Sequence, residues 1–172
     1  MLKTGLVSAT FKSLDINDVV LAVLKAGLSG IEWSENHHIA PGNVSLARWT
    51  GEFTRRNGLD VAAYGSYYRL GTGMDFTPSL ENARALGAPV IRVWAGNLPS
   101  AETDEQKRSL IAGELDMICS RAAEYGIKIA TEWHKNTLTD TNESAARLLG
   151  EVPALRTLWQ PTQALSFEQR RS

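Results

Sequence analysis

A carboxylate and an imidazole follow one short apolar strand in the second half of the chain. The stretch Ile127–Thr141 reads as a buried strand that ends in Glu132, Trp133 and His134. Successive strand side chains point to opposite faces, so Glu132 and His134 are predicted to share one side while Trp133 points away. The loop that follows, residues 135–140, is rich in hydroxyl groups and hydrogen-bond donors. This pattern predicts a polyol-binding or metal-binding corner at the carboxyl end of a strand.

Other polar and aromatic side chains lie at or just beyond the ends of three further predicted strands. An arginine inside a strand is costly to bury without a partner, so Arg92 favours either a carboxylate such as Glu32 or an anionic substrate. The adjacent histidines His37 and His38 suggest a metal site, but neighbouring loop residues rarely bind the same ion, and only His38 is kept as a candidate. The candidate residues outside the first stretch are Glu32, His38, Tyr64, Arg92 and Trp94.

These residues need an architecture that brings strand ends together. Apolar runs and helical periodicity predict a strand followed by a helix five times, and then a sixth strand. The predicted strands are 1–8, 30–33, 59–64, 90–94, 127–131 and 155–159, and the predicted helices are about 15–26, 45–56, 77–86, 103–125 and 142–151. Parallel α/β proteins place their active sites at the carboxyl ends of the strands, where the polar residues of this chain gather.

Two parallel architectures fit this order of elements, an open doubly wound sheet and a (β/α) barrel. A dinucleotide-binding fold requires a glycine-rich turn after the first strand, yet the segment Ser8–Lys12 contains no glycine. Polar residues after all six strands suit the mouth of a barrel better than a single crevice. We therefore predict one domain over residues 1–172, an incomplete TIM-type (β/α) barrel of about six units.

Composition excludes several classes of function. A net charge of −1 and a pI near 6.3 argue against a nucleic-acid binder that relies on a broad basic surface. No segment has the apolar length of a membrane span, and the amino terminus lacks the features of a signal peptide. The single Cys119 lies within a helical pattern and is interpreted as a small buried apolar residue. The prediction is a cytoplasmic protein that binds neither nucleic acid nor membranes.

Five segments carry a family likeness that extends, in order, over nearly the whole chain: Gly30–Asn43, Ala62–Gly71, Ala85–Gly96, Ala130–Thr141 and Leu158–Pro161. Together they resemble the xylose isomerase-like TIM-barrel superfamily, and most of all its bacterial sugar-phosphate isomerase/epimerase branch. The resemblance implies an eight-stranded barrel that binds a divalent cation at its mouth and isomerises or epimerises sugars there.

The resemblance also implies roles for individual residues. The first metal-binding carboxylate of the family falls on Glu132, the second falls on Gln160, and a substrate-contacting histidine falls on Gln163. Together with the strand-end pattern, this makes Glu132 and His134 the predicted catalytic residues. Five further residues occupy mouth positions that line the sugar pocket in such barrels: Glu32, His38, Tyr64, Arg92 and Trp94. The ligands of the seventh and eighth strands have no counterpart. With neutral Gln160 in place of a carboxylate, we expect only weak binding of Mn²⁺, Mg²⁺ or Co²⁺.

The functional prediction is a sugar or sugar-phosphate isomerase/epimerase that uses metal-assisted proton transfer next to a carbonyl. Low or no activity is expected because the seventh and eighth strands are missing. The alternative is a non-catalytic carbohydrate-binding or assembly protein, and a DNA-repair nuclease of the same fold is disfavoured by the presence of only three histidines. Unpaired first and sixth strands predict a homo-oligomer.

Overall fold

The computed structural model describes residues 3–160 and 168, and its described part contains one sheet of six parallel strands in chain order. Each strand pairs with the next one along the chain, and helices connect them. The strands are β1 (Gly5–Val7), β2 (Gly30–Ser34), β3 (Asp60–Arg69), β4 (Val90–Trp94), β5 (Lys128–Glu132) and β6 (Arg156–Leu158), and the helices are α1 (Ile16–Lys25), α2 (Val44–Arg56), α3 (Thr77–Leu86), α4 (Glu105–Ala123) and α5 (Asn142–Glu151). The predicted fold, an incomplete parallel (β/α) barrel of about six units, is confirmed.

The helices begin and end where local chemistry satisfies their free backbone groups. The Asp15 carboxylate accepts the Asp18 amide at 2.9 Å at the start of α1, and the Thr141 hydroxyl accepts the Ser144 amide at 3.2 Å at the start of α5. Gly87 ends α3 with a φ of 72°, which a glycine adopts without strain. In the described part of the chain, no helix combines the length and apolarity needed to cross a membrane.

The hydrophobic core lies between the outer face of the sheet and the helices. Strand residues such as Ile31, Trp33 and Ile91 are fully buried there against helix residues such as Val19 and Leu115. Helices α2 and α3 approach closely at Gly51, where an added Cβ would lie 2.1 Å from the Leu86 carbonyl oxygen. This packing leaves the carboxyl ends of the strands free to carry polar side chains.

Strand β3 is longer than predicted. The aromatic segment 65–69 was predicted to be a loop, but it continues β3 to Arg69. Neighbouring groups hold it extended: the Glu35 amide donates to the Gly65 carbonyl at 3.0 Å, and the Tyr67 amide donates to the Glu35 carboxylate at 2.8 Å. The pairing with β4 ends with Arg69 opposite Trp94. The prediction also missed two short 3₁₀ helices, at Ser8–Phe11 and Ser100–Glu102.

The strands β1 and β6 are the two edges of the described sheet, so homo-oligomerisation through these edges stays a prediction. Because an unpaired strand offers free backbone donors and acceptors to another chain, we expect light scattering to give a mass well above the 18.8 kDa of one chain. A stable monomer at all concentrations tested would contradict this expectation.

Candidate functional site

The centre of the barrel mouth is an arginine held between two carboxylates. Arg92 on β4 donates from Nε to Glu32 Oε1 at 2.7 Å and from Nη1 to Glu132 Oε2. The arginine is 7% exposed, so both ion pairs lie in a largely dehydrated environment. Burial by itself would lower the pKa of Arg92, but the charges of Glu32 and Glu132 outweigh it and raise the pKa. Strands β2, β4 and β5 are therefore joined across the mouth by one guanidinium.

Gly65 on β3 is the residue that makes room for this arrangement. A Cβ added at Gly65 would lie 2.5 Å from Glu32 Oε1 and 2.8 Å from Arg92 Nη2. The ion pair between Arg92 on β4 and Glu32 on β2 thus crosses β3 at the one position of that strand that has no side chain. A glycine within a strand pattern is a recognised sign of such a close approach, and it was the available signal in the sequence.

Glu132 also contacts the end of the described chain. The Gln160 amide donates from Nε2 to Glu132 Oε1 at 2.8 Å and to the Trp133 carbonyl at 2.5 Å. Both carboxylate oxygens of Glu132 therefore accept hydrogen bonds from the protein, one from Arg92 and one from Gln160. Each oxygen can accept a second bond.

An aromatic layer lies beside the ion pairs. The His134 ring stacks on Trp94 with centroids 4.5 Å apart, and the Arg69 guanidinium carbon lies 3.7 Å from the Trp94 ring centroid. The Tyr67 ring is 6.0 Å from Trp94 and 5.8 Å from the guanidinium carbon of Arg92. The mouth therefore brings together Glu32, Arg92, Trp94, Glu132, His134 and Gln160 from the predicted set, with Arg69 and Tyr67 as additional members.

The tautomer of His134 follows from its backbone contact. His134 Nδ1 lies 2.6 Å from the Lys135 carbonyl oxygen, which can only accept a hydrogen bond. In the neutral ring Nδ1 then carries the proton and Nε2 keeps its lone pair. An imidazole in this state can accept a proton from a ligand.

The hydroxyl-rich loop after β5 folds on itself. The Thr139 hydroxyl donates to the Glu132 carbonyl at 2.6 Å, and the Thr137 hydroxyl donates to the His134 carbonyl at 2.6 Å. Both threonine residues are buried. These two hydroxyls hold the backbone on either side of Trp133 in place, and a polyol-binding or metal-binding role for the corner as a whole stays a prediction.

Tyr64 lies on the other face of the sheet, away from the ion pairs. It is fully buried, and its hydroxyl lies 3.0 Å from the Ile39 carbonyl, 3.1 Å from the Glu35 carboxylate and 3.0 Å from the Asn82 amide nitrogen. Burial, followed by the charge of Glu35, raises the pKa of Tyr64. The predicted mouth position of Tyr64 is thus not observed, because strand alternation directs its neighbour Gly65, and not Tyr64, to the inner face.

The sequence reasoning missed Glu35, which organises this outer network. Its carboxylate is 3% exposed and also accepts the Ser79 hydroxyl at 2.7 Å. An acidic residue in a polar loop is ordinarily solvated, so no sequence pattern indicated that Glu35 is buried. Through the Tyr67 amide, this network keeps the end of β3, and with it Arg69, beside β4.

His38 is likewise placed away from the ion pairs. Its Nε2 lies 3.1 Å from the Leu14 carbonyl, and its ring meets Trp33 edge to face at 5.7 Å. Its Nδ1 is buried and has no hydrogen-bond partner among the described residues. The site therefore brings together six of the predicted side chains but leaves out Tyr64 and His38, and Gln163 lies outside the described residues.

We predict that His38 makes the fold less stable in mild acid. Burial lowers the pKa of His38 from 6.5, so below that pH the unfolded chain takes up a proton that the folded chain resists. Stability should fall as pH drops through this window and stop falling below the folded-state pKa. Denaturant midpoints at pH of about 7.5 and 5.5 should differ less in His38→Gln than in the wild type. An equal difference in both proteins would contradict the prediction.

The described residues do not by themselves fit a divalent cation. No group of three or more His, Cys, Asp or Glu side chains in residues 3–160 could hold a metal ion. Glu132, the predicted ligand, already accepts hydrogen bonds from Arg92 and Gln160, and an arginine beside a carboxylate opposes cation binding. Weak binding therefore stays the prediction for these residues.

Replacing Gln160 with glutamate tests whether one missing charge limits metal binding. In Gln160→Glu a second carboxylate would stand where the amide now lies 2.8 Å from Glu132, and we expect Mn²⁺ affinity to rise at least about tenfold. Calorimetric titration measures this, and Gln106→Glu, on the exposed side of α4, adds the same charge away from the mouth. Equal Mn²⁺ affinity in the two variants would refute the prediction that position 160 is a metal-ligand position beside Glu132.

Fold and site together define a class of protein: a parallel (β/α) barrel whose mouth carries charged and aromatic side chains. The chain belongs to the xylose isomerase-like TIM barrel family, whose family model matches residues 20–169. The predicted family is therefore confirmed.

Among characterised relatives, the chain is 28% identical over 167 residues to a 3-dehydroshikimate dehydratase from Bacillus anthracis. The match covers 88% of this chain but only 58% of that protein. The crystal structure of the probable 3-DHS dehydratase AsbF of Bacillus anthracis, involved in petrobactin synthesis, superposes with a TM-score of 0.77 at 26% identity, over 91% of this chain and 62% of that one. The chain thus spans about three fifths of these relatives.

More distant solved structures share the fold. A D-allulose 3-epimerase from Methylomonas sp. in complex with D-allulose gives a TM-score of 0.68 at 16% identity, over 90% of this chain and 60% of that one. A xylose isomerase-like TIM barrel protein from Mycobacterium smegmatis in complex with magnesium gives a TM-score of 0.62 at 14% identity, over 91% of this chain and 65% of that one. Metal and sugar binding therefore occur in proteins of this fold.

Proposed function

We propose that the chain provides the substrate-binding mouth of an enzyme that moves a proton at the carbon next to a carbonyl group in a small hydroxylated compound. The observation that carries this proposal is the pair Glu132 and His134 at the end of β5, beside the guanidinium of Arg92 and the ring of Trp94. A base and hydrogen-bond acceptors are what such a substrate requires.

His134 is the proposed proton acceptor. Its Nδ1 is engaged by the Lys135 carbonyl, which leaves Nε2 available, and stacking on Trp94 limits the movement of the ring. Glu132 is a weaker candidate base because Arg92 neutralises it, and its remaining lone pairs suit it to accept a substrate hydroxyl. Arg92 is proposed to hold Glu132 and Glu32 in position rather than to bind the substrate by itself.

We propose 3-dehydroshikimate as the first substrate to test, since the relative with 28% identity acts on this compound by its name. In a dehydration, the base removes a proton beside the ring ketone, a carbon–carbon double bond forms, and a hydroxyl group leaves as water. The ring then becomes an aromatic dihydroxybenzoate by tautomerisation, and no oxidant is consumed. The proton that the base removes balances the one that leaves with the hydroxyl group in water, so the base is regenerated.

Sugar or sugar-phosphate isomerisation or epimerisation is the second candidate. It begins with the same proton removal but returns the proton to the substrate instead of expelling water. The observation that favours it is the partly exposed ring of Tyr67, whose centroid lies 6.0 Å from that of Trp94 and which suits the face of a sugar. A protein that binds such compounds without turnover is the third outcome to be distinguished.

The deciding experiment incubates the purified chain with 3-dehydroshikimate and follows the ultraviolet absorbance of the aromatic product, with and without added Mn²⁺. Formation of the aromatic acid supports the dehydratase proposal. Interconversion of D-allulose or a ketose phosphate, detected by chromatography, would instead support the isomerase/epimerase candidate. Calorimetric binding of any of these compounds without product would support the binding protein.

A further inference from the structure

Arg69 is a partly buried cation at the mouth that the proposed reaction does not use. It ends β3 directly opposite Trp94, and its guanidinium carbon lies 3.7 Å from the centroid of the Trp94 ring. Among residues 3–160 its guanidinium makes one hydrogen bond, a long one from Nη1 to the Gly96 carbonyl at 3.4 Å. Within residues 3–160 no carboxylate lies within ion-pair distance of Arg69.

The neighbouring arginine shows what an internally satisfied cation looks like in this fold. Arg92 contacts Glu32 and Glu132, so both acidic side chains of the mouth are already engaged by one guanidinium. Arg69 lies close enough to Glu132 for that charge to influence it, but burial has the larger effect and lowers the pKa of Arg69. A cation that has lost solvent without gaining a carboxylate binds an incoming anion favourably.

A second hydrogen-bond donor without an acceptor belongs to Trp94, the ring on which Arg69 stacks. Trp94 Nε1 is buried and has no acceptor in the described part of the chain. Buried donors in folded proteins almost always have a partner, and one without a protein partner at a mouth is a candidate contact for a ligand. Arg69 and Trp94 therefore present unsatisfied N–H groups within one stacked pair.

We propose that Arg69, stacked on Trp94, is an oxyanion anchor that receives the carboxylate or phosphate of the substrate at the barrel mouth. This inference deepens the proposed function and rests on it for the identity of the substrate. The carboxylate of 3-dehydroshikimate and the phosphate of a ketose phosphate share the chemistry that a guanidinium recognises in a fork geometry. A neutral sugar such as D-allulose lacks it.

The test compares the affinities of 3-dehydroshikimate, D-fructose 6-phosphate and D-allulose for the wild type and Arg69→Gln by calorimetry. We expect the variant to lose about 10- to 100-fold in affinity for the anion that binds, and to bind D-allulose as the wild type does. Arg69→Lys should retain part of the affinity, and Trp94→Phe should lower it while keeping a ring for stacking. A loss of affinity for 3-dehydroshikimate would show that Arg69 binds a carboxylate, and a loss of affinity for D-fructose 6-phosphate would show that it binds a phosphate.

Arg84 provides a matched control. Its guanidinium carbon also lies 3.7 Å from an aromatic centroid, that of Tyr125, but the pair is on the exposed outer surface. Arg84→Gln should leave all three affinities unchanged. Equal affinities in Arg69→Gln and Arg84→Gln, or no binding of either anion to the wild type, would overturn the anchor. If Arg69→Gln turns over 3-dehydroshikimate as the wild type does, the anchor is refuted and the proposed function is retained. If the wild type binds an anion through Arg69 but does not turn it over, the anchor is retained and the proposed function is refuted.

Discussion

Replacing Arg92 with alanine is expected to destabilise the fold by about 3–5 kcal/mol, the cost typical of removing one partner from a buried ion pair. The physical reason is that Glu32 and Glu132 are 14% and 18% exposed and would face each other without a counter-charge. Denaturant unfolding of the wild type and Arg92→Ala measures the difference. A loss well below 1 kcal/mol would mean that the carboxylates find other partners.

Arg147 supplies the matched control for this prediction. Like Arg92 it contacts two carboxylates, those of Glu105 and Glu151, but its side chain is 50% exposed. Solvent screens exposed ion pairs, so Arg147→Ala should destabilise the fold far less than Arg92→Ala does. The triple variant Glu32→Gln, Arg92→Met, Glu132→Gln removes all three charges together and should recover much of the stability lost in Arg92→Ala.

Replacing His134 with glutamine is expected to lower kcat for the proposed substrate by about 10²- to 10⁴-fold, the contribution typical of a general base. Glutamine keeps a polar side chain of comparable length but cannot take up a proton. Since the ring also stacks on Trp94, substrate affinity should fall much less than kcat. The measurement is a comparison of kcat and KM from initial rates, together with the pH profile of kcat.

His37 is the control for the loss of a histidine near the mouth. It lies in the loop after β2 with its ring edge-on to Tyr67 at 6.4 Å, and the proposed reaction does not use it. His37→Gln should keep kcat and its pH profile. An unchanged kcat in His134→Gln, or an equal decrease in both variants, would refute the assignment of His134 as the base.

The larger features of the fold could be predicted because local physical chemistry specifies them. Apolar runs predicted all six strands, and the predicted bounds of α3 and α5 agree with the structure. The prediction failed at the end of β3, where the Tyr67 amide is bound by a carboxylate that lies 32 residues earlier in the chain. Local sequence patterns do not predict a hydrogen bond between residues that are so far apart in the chain.

The contacts of the candidate site likewise include some that the sequence predicted and others that it did not. The pairing of Arg92 with Glu32 was one of two alternatives in the sequence, because a buried arginine requires an anion. That Glu132 is the second partner, and that Gly65 makes room for the pairs, depends on strand register across β2, β3, β4 and β5. Arg69 was not predicted because it was assigned to a loop, where an arginine is ordinarily solvated.

The sequence by itself determined the order of strands and helices, the parallel barrel and the end of the sheet at which polar side chains gather. These features follow from hydrophobic periodicity and from short-range turn chemistry. Only the tertiary structure decided which charges meet, which hydroxyls are engaged by the backbone, and which cation at the mouth has no carboxylate partner in residues 3–160. The two ion pairs of Arg92 join residues 40 and 60 positions apart, so they depend on register and packing between strands rather than on any neighbouring residue.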